Sequence, residues 1–176
     1  GPALVTGANE EAAKAAAVVW VLRRKRKDLI FEMDGIILGA AAGMGFAAIE
    51  DMLYAVGSAP HGLDAVLATV WVREILGPFG HGTWTAIVVG TIWRVRDAGF
   101  VRGALAILGA YLLAVALHGA WDWDPVSGYG ALVWLLGVGA VGIVYLRSMI
   151  HHALQQEKEY LDQTGTATAT APSGQA

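Results

Sequence analysis

Cysteine is absent from the 176-residue chain, which excludes disulfides, thiolate nucleophiles and thiolate metal sites. Charge is scarce as well: Asp, Glu, Lys and Arg make up 15% of residues, against roughly 25% in a soluble domain. The first apolar run does not read as a secretory signal, because the basic stretch Arg23-Arg24-Lys25-Arg26-Lys27 follows it instead of preceding it. What remains is apolar: 56% of the chain is hydrophobic. The few charges are clumped and leave uninterrupted stretches of about twenty residues, the span of a bilayer core. These properties describe an integral membrane protein and not a soluble domain.

Apolar segments run over 2–22, 34–56, 79–93, 101–120 and 129–146. A shorter stretch over 61–76 carries Asp64, Arg73 and Glu74 and reads as an interfacial or re-entrant helix. The expected fold is all-α, a polytopic transmembrane bundle of about five membrane helices plus one short interfacial helix, filling residues 1–150. Gly35, Gly39, Gly43 and Gly45 in the second segment, and Gly137, Gly139 and Gly142 in the last, read as points of close helix contact. The polar stretch over 151–176, with its Thr-Ala repetition, reads as a disordered tail. Arg23 to Lys27, Arg94, Arg96, Arg102 and Arg147 fall at ends that alternation places on one side, and only Arg73 falls opposite. The positive-inside rule makes that side cytoplasmic, together with the C-terminus. The basic run is a topology signal, and no nucleic-acid partner is expected.

Several ionisable residues lie where lipid does not tolerate them. Glu10, Glu11 and Lys14 are in the first segment, Glu50 and Asp51 in the second, His81 in the third, and His118 and Asp122 at the end of the fourth. At the helical rise per residue, Glu11 lies about 18 Å from Arg23, Glu50 about 24 Å from Asp34, His81 about 20 Å from Arg94 and His118 about 24 Å from Arg102. Separate segments thus bring polar groups to a similar depth in the outer half of the bilayer. Each charge there costs several kcal/mol unless it is paired or hydrated, so one shared polar chamber is expected. Spacings of four put Glu10 with Lys14, His81 with Thr85 and His118 with Asp122 on common helix faces. Asp122 is placed to accept from the His118 imidazole and fix its tautomer. Lys14 can pair with Glu10 or with Glu11, leaving the other carboxylate to face the chamber.

Carboxylates and histidines without cysteine suit activation of water: a glutamate as general base and a histidine or protonated carboxyl as oxyanion partner. The same residue types suit a zinc ion, with Glu50, His81 and His118 as donors. The sequence leaves the metal-free and zinc mechanisms equally open. Each group also has an ordinary reading, as a structural ion pair, a buried hydrogen-bonding histidine or a membrane-interface pair. A proton- or ion-coupled relay would use the same residue types, but no inverted repeat is legible.

Four motifs together resemble the PrsW family of intramembrane proteases, itself distantly similar to the CAAX-prenyl-protease and bacteriocin-processing group. They are Glu10-Glu11-x-x-Lys14, Phe46-x-x-x-Glu50, the stretch GHGTWTAIVVG around His81, and His118-x-x-x-Asp122 in HGAWD, over residues 8 to 147. The resemblance implies an intramembrane endopeptidase of a bacterial or archaeal cell membrane. Its substrate would be a membrane-anchored protein in the lipid bilayer, with site-1 cleavage of an anti-sigma factor as the family's best-known role. It places the site residues on Glu10, Glu11, Glu50, His81, His118 and Asp122, with either Glu10 or Glu11 as base. A non-catalytic binding scaffold on the same fold is the alternative. Two departures stand out. Members of the family usually carry helices ahead of the Glu-Glu motif, so upstream helices are expected. Asn often follows the second-segment glutamate, where this chain has Asp51.

Overall fold

The computed structural model describes residues 1–23, 29, 31–77, 80–123 and 125–170. Among these, regular structure is helical throughout: α1 (Pro2–Leu22), α2 (Glu32–Ser58), a 3-10 turn (Ala59–His61), α3 (Leu63–Leu76), α4 (His81–Arg94), α5 (Phe100–Trp121) and α6 (Tyr129–Thr170). These elements start and stop close to the apolar segments read from the sequence, except at the end of α6. Phe79 and the basic residues Arg24 to Lys27 lie outside the described residues. Pro2 opens α1, where a missing N–H costs nothing. Gly62, at φ 95°, turns the chain from the 3-10 turn into α3 through a conformation open mainly to glycine.

The centre of the molecule is α4. His81 to Thr91 and Trp93 are all buried, and Trp84, Ile87, Val88 and Val89 form the densest part of the core. Its fourteen residues rise about 21 Å, short of the roughly 30 Å hydrocarbon layer. Three helical stretches among the described residues have the length and apolarity to cross a membrane, namely α2 with its 3-10 turn, α5, and α6 as far as Thr164. This count falls below the expected five: α1 carries Glu10, Glu11 and Lys14, and α4 is too short. Large apolar side chains such as Trp20, Val56, Phe100, Val133 and Val144 point outward. That surface suits lipid, whereas in water it would be one large exposed patch.

Glycine lets α2 lie against α4. A Cβ on Gly35 would come within 2.9 Å of Val89 O, one on Gly39 within 2.7 Å of Thr85 O, and one on Gly43 within 2.6 Å of the His81 carbonyl carbon. These residues recur every fourth position and form a smooth strip on which the α4 backbone rests. The contact expected of Gly142 is present, against Thr83 on α4, whereas Gly45 and Gly137 face open space.

At the other end of the bundle, Trp93 Nε1 and Arg96 Nη1 donate to Leu29 O at 3.1 and 2.5 Å. The side chain of Glu32 is fully buried there, with Oε2 2.6 Å from His152 Nδ1 and 3.8 Å from Arg94 Nε. Glu32 N donates to Gln156 Oε1 at 3.1 Å, and Ala153 is buried. These contacts carry α6 past His152 as a continuous helix to Thr170, where the sequence reading expected disorder from 151. Residues 171–176 lie outside the described residues.

Candidate active site

Four helices deliver polar side chains to one cluster at the end of the bundle opposite Glu32. Glu10, Glu11 and Lys14 come from the middle of α1, Glu50 from the last third of α2, His81 from the first residue of α4, and His118 from near the end of α5. Gly7 brings α1 against α5 here, since a Cβ on it would lie 3.2 Å from His118 Cβ. Tyr111 Oη donates to Ala8 O at 2.8 Å and ties the same two helices together. The histidine rings meet edge to face with centroids 4.9 Å apart. Trp84 stacks on His118 at 4.6 Å and sets the plane of that ring.

Glu11 is the hub. Its Oε1 lies 2.6 Å from Lys14 Nζ and 3.0 Å from His118 Nδ1, and its Oε2 accepts from Thr85 Oγ1 at 3.0 Å. The side chain is completely buried, which a carboxylate tolerates only with such partners. The competition for Lys14 is therefore decided toward Glu11, because Glu10 Oε2 stands at 3.7 Å. Lys14 Nζ also lies 2.9 Å from His81 Nδ1 and 4.4 Å from the centre of the Phe46 ring.

Donor and acceptor capacity then fixes the protons. An ammonium only donates and an ionised carboxylate only accepts. Lys14 thus donates to His81 Nδ1, and His81 Nε2 carries the proton that Glu50 Oε2 accepts at 2.9 Å. On His118, Nδ1 donates to Glu11, so Nε2 presents a lone pair. That lone pair faces Asp122 Oδ2 at 3.4 Å and Glu10 Oε2 at 3.6 Å. Glu10 Oε2 is buried and makes no hydrogen bond. Three acceptors confronting one another require a donor among them, either a proton on the imidazole or on a carboxyl, or a bound cation.

Glu10, His81 and His118 each offer a ligand atom, all within 4.8 Å of one another. Donors bound to one zinc at about 2.0–2.2 Å lie roughly 3.4 Å apart in tetrahedral geometry, close to the separations around His118 Nε2. The residues fit a metal ion, through Glu10 and not through Glu50, which the sequence reading had placed among the donors. The role expected of Asp122 shifts as well: Glu11 holds His118 Nδ1 more closely, and Asp122 approaches the other ring nitrogen.

Glu50 Oε2 also accepts from Arg73 Nη2 at 2.6 Å, and Arg73 Nε donates to Asp51 Oδ1. Beside these residues opens a cavity of about 230 Å³ lined by Ala47, Asp51, Arg73, His81, Trp121 and Asp122, among others. It is large enough for several waters or one large side chain, and it leads to His81. Sequence reasoning missed Arg73, which it noted only as the one cation on the wrong side. An arginine in a short apolar helix opposite an Asp-Glu pair was the available signal. Trp84 is fully buried beneath the histidines.

Residues 1–152 match the model of the family described as "PrsW family intramembrane metalloprotease". No curated protein and no solved structure matches the chain.

Proposed function

This chain belongs to the PrsW family of intramembrane metalloproteases, and from that premise we propose how the α1–α2–α4–α5 cluster performs peptide hydrolysis. The protein is a membrane-embedded peptidase whose substrate is a membrane-embedded protein. The finer reading is an endopeptidase domain over 1–150, with α1 and α4 completing five membrane helices around the site. Its C-terminus is cytoplasmic and its membrane that of a bacterial or archaeal cell. Its reaction is site-1 cleavage of an anchored protein such as an anti-sigma factor.

The observation that carries the mechanism is the meeting of acceptors at His118 Nε2, with Glu10 Oε2 buried and unbonded beside it. Glu10, His118 and, once Lys14 gives up its bond to Nδ1, His81 would hold a zinc ion there, which would lower the pKa of water and polarise the scissile carbonyl. Glu11 orients His118 through Nδ1, Glu50 orients His81 through Nε2, and Trp84 keeps the His118 ring in plane. Lys14 offsets the carboxylate charge that gathers with Glu10 and Glu11. Asp122, on the cavity wall and partly exposed, is the carboxylate best placed to take a proton from an incoming water.

A metal-free reading has its own support. Lys14 Nζ already donates to His81 Nδ1, and the ammonium supplies a fixed positive charge beside the cluster. Glu10 is then the general base, and a doubly protonated His118 stabilises the oxyanion. The deciding experiment is cleavage of a single-pass reporter by purified protein after exhaustive chelation and again with added zinc, alongside Glu10→Gln. Activity lost on chelation and restored by zinc supports the metal site. Chelation-resistant activity that Glu10→Gln abolishes supports the glutamate base. A folded Glu10→Gln protein that cleaves like its parent removes Glu10 from both mechanisms, whereas a parent protein that cleaves nothing with or without zinc leaves the binding-scaffold alternative.

A further inference from the structure

We propose that Arg73 is a positioning residue for hydrolysis, acting through Glu50 to hold the His81 ring in place by its Nε2–H. Resting on the peptidase reading above, the inference extends it to a helix that none of the four motifs contains. The sequence gives α3 one described cation near its C-terminal end, and the structure shows what that cation reaches. Arg73 Nη2 donates to Glu50 Oε2 at 2.6 Å, its Nε donates to Asp51 Oδ1, and its guanidinium lies 4.0 Å from the centre of the Tyr54 ring. All three partners lie on the last turns of α2, so a planar fork is matched to two adjacent carboxylates and a flanking aromatic face.

The oxygen of Glu50 that Arg73 holds is the same one that receives the His81 Nε2 proton at 2.9 Å. Lys14 already assigns the lone pair of His81 to Nδ1, so Glu50 contributes the direction of the ring: pinned by Arg73, its Oε2 presents a fixed acceptor to Nε2. Nδ1 then faces Lys14 at 2.9 Å and Glu11 Oε1 at 4.0 Å. Without Arg73, the Glu50 carboxylate loses its anchor and is free to rotate out toward the neighbouring cavity that Arg73 and His81 both line.

The two carboxylates separate this role from simple fastening of α3. Among the described residues, α3 packs on α2 and the 3-10 turn, where Ser58 and Thr69 share a hydrogen bond of 2.9 Å. The bond to Asp51 fastens α3, whereas the bond to Glu50 bears on His81. Positioning therefore predicts that Glu50→Gln and Arg73→Met resemble each other and that Asp51→Asn does not resemble them.

The test uses full-length protein in detergent micelles with ¹⁵N-labelled histidine, the His81 resonances being identified by their loss in His81→Gln. The parent is expected to show His81 protonated at Nε2. Arg73→Met should shift the His81 Nε2 resonance as its bond to Glu50 loosens, with Nδ1 still unprotonated, and lower kcat by about 10–100-fold, the range for groups that orient a functional histidine, with KM unchanged. Arg73→Lys should restore part of both, and Asp51→Asn should leave both at parental values. Losses in Arg73→Met and Asp51→Asn that are equal, with the His81 signals unmoved, would overturn the inference in favour of fastening. A raised KM with kcat unchanged would overturn it in favour of substrate contact. Should Arg73→Met fail to fold, Arg73→Lys and Glu50→Gln carry the same comparison. The nitrogen shifts are read without substrate, so a moved Nε2 resonance in a protein that cleaves nothing would sink the peptidase mechanism and leave the Arg73 coupling standing.

Discussion

Replacing Gly43 by alanine adds one methyl group at the closest point between α2 and α4. The new carbon would stand 2.6 Å from the His81 carbonyl carbon and 2.9 Å from Gly82 Cα, where carbon pairs rest at about 3.5–4.0 Å. Every atom it meets is backbone, so no side chain can swing aside. The helices must part by about 1 Å, and overpacking of this kind costs about 1–3 kcal/mol. The displaced residue is His81 itself, whose 2.9 Å contacts to Lys14 and Glu50 would lengthen together. A misplacement of about 1 Å at a reacting centre lowers rates by roughly 10²-fold. Gly45→Ala is the control: it lies on the same helix with nothing within 4 Å of its Cβ, and it should gain about 0.5–1 kcal/mol from helix propensity. Thermal unfolding in micelles and reporter cleavage give the two readouts. If Gly43→Ala matches Gly45→Ala in both, the glycine strip does not set the position of His81 and the reasoning fails.

Glu11→Gln should lose about 3–5 kcal/mol, because it strands the buried Lys14 ammonium, and should show as a collapse in yield and melting temperature, whereas Glu10→Gln should melt close to the parent. Tyr111→Phe removes only the 2.8 Å bond to Ala8 O. It should cost about 1 kcal/mol of stability and leave reporter kcat unchanged, as measured by melting and steady-state cleavage. His152→Ala deprives the buried Glu32 carboxylate of its 2.6 Å partner and should cost about 1–3 kcal/mol. Hydrogen exchange should then rise across residues 150–160, and unchanged protection there would mean that Glu32 does not hold the helix down.

The helices were legible because lipid imposes a coarse rule: apolar stretches near bilayer length, with polar breaks between them. The depth of the ionisable groups was legible for the same reason, since rise per residue converts sequence offset directly into distance along a helix axis. Rotation about that axis was not. Whether Glu10 or Glu11 points at Lys14 turns on about 100° of helix rotation, and only the packing of α1 on α5 at Gly7 and Tyr111 decides it. A helix enclosed by protein is as apolar as one facing lipid, so the 79–93 segment gave no sign that nearly every residue of α4 is buried among its neighbours. The continuation of α6 was hidden because Glu32, its anchor, is remote in sequence. Arg73 was hidden because its importance lies in its partners, and pairing across a turn leaves no periodic signature.

The distribution of the cluster over four helices has a consequence for biogenesis. The first of these helices begins at Pro2 and the last ends at Trp121, so a growing chain carries no assembled centre until α5 has been made and inserted. The helix that brings His81 is short, begins on an ionisable residue, and is enclosed by protein on nearly every side. It therefore enters the bilayer as cargo of its neighbours, docking on the glycine face of α2. A site gathered from helices so far apart along the chain can act only after α5 has packed against α1.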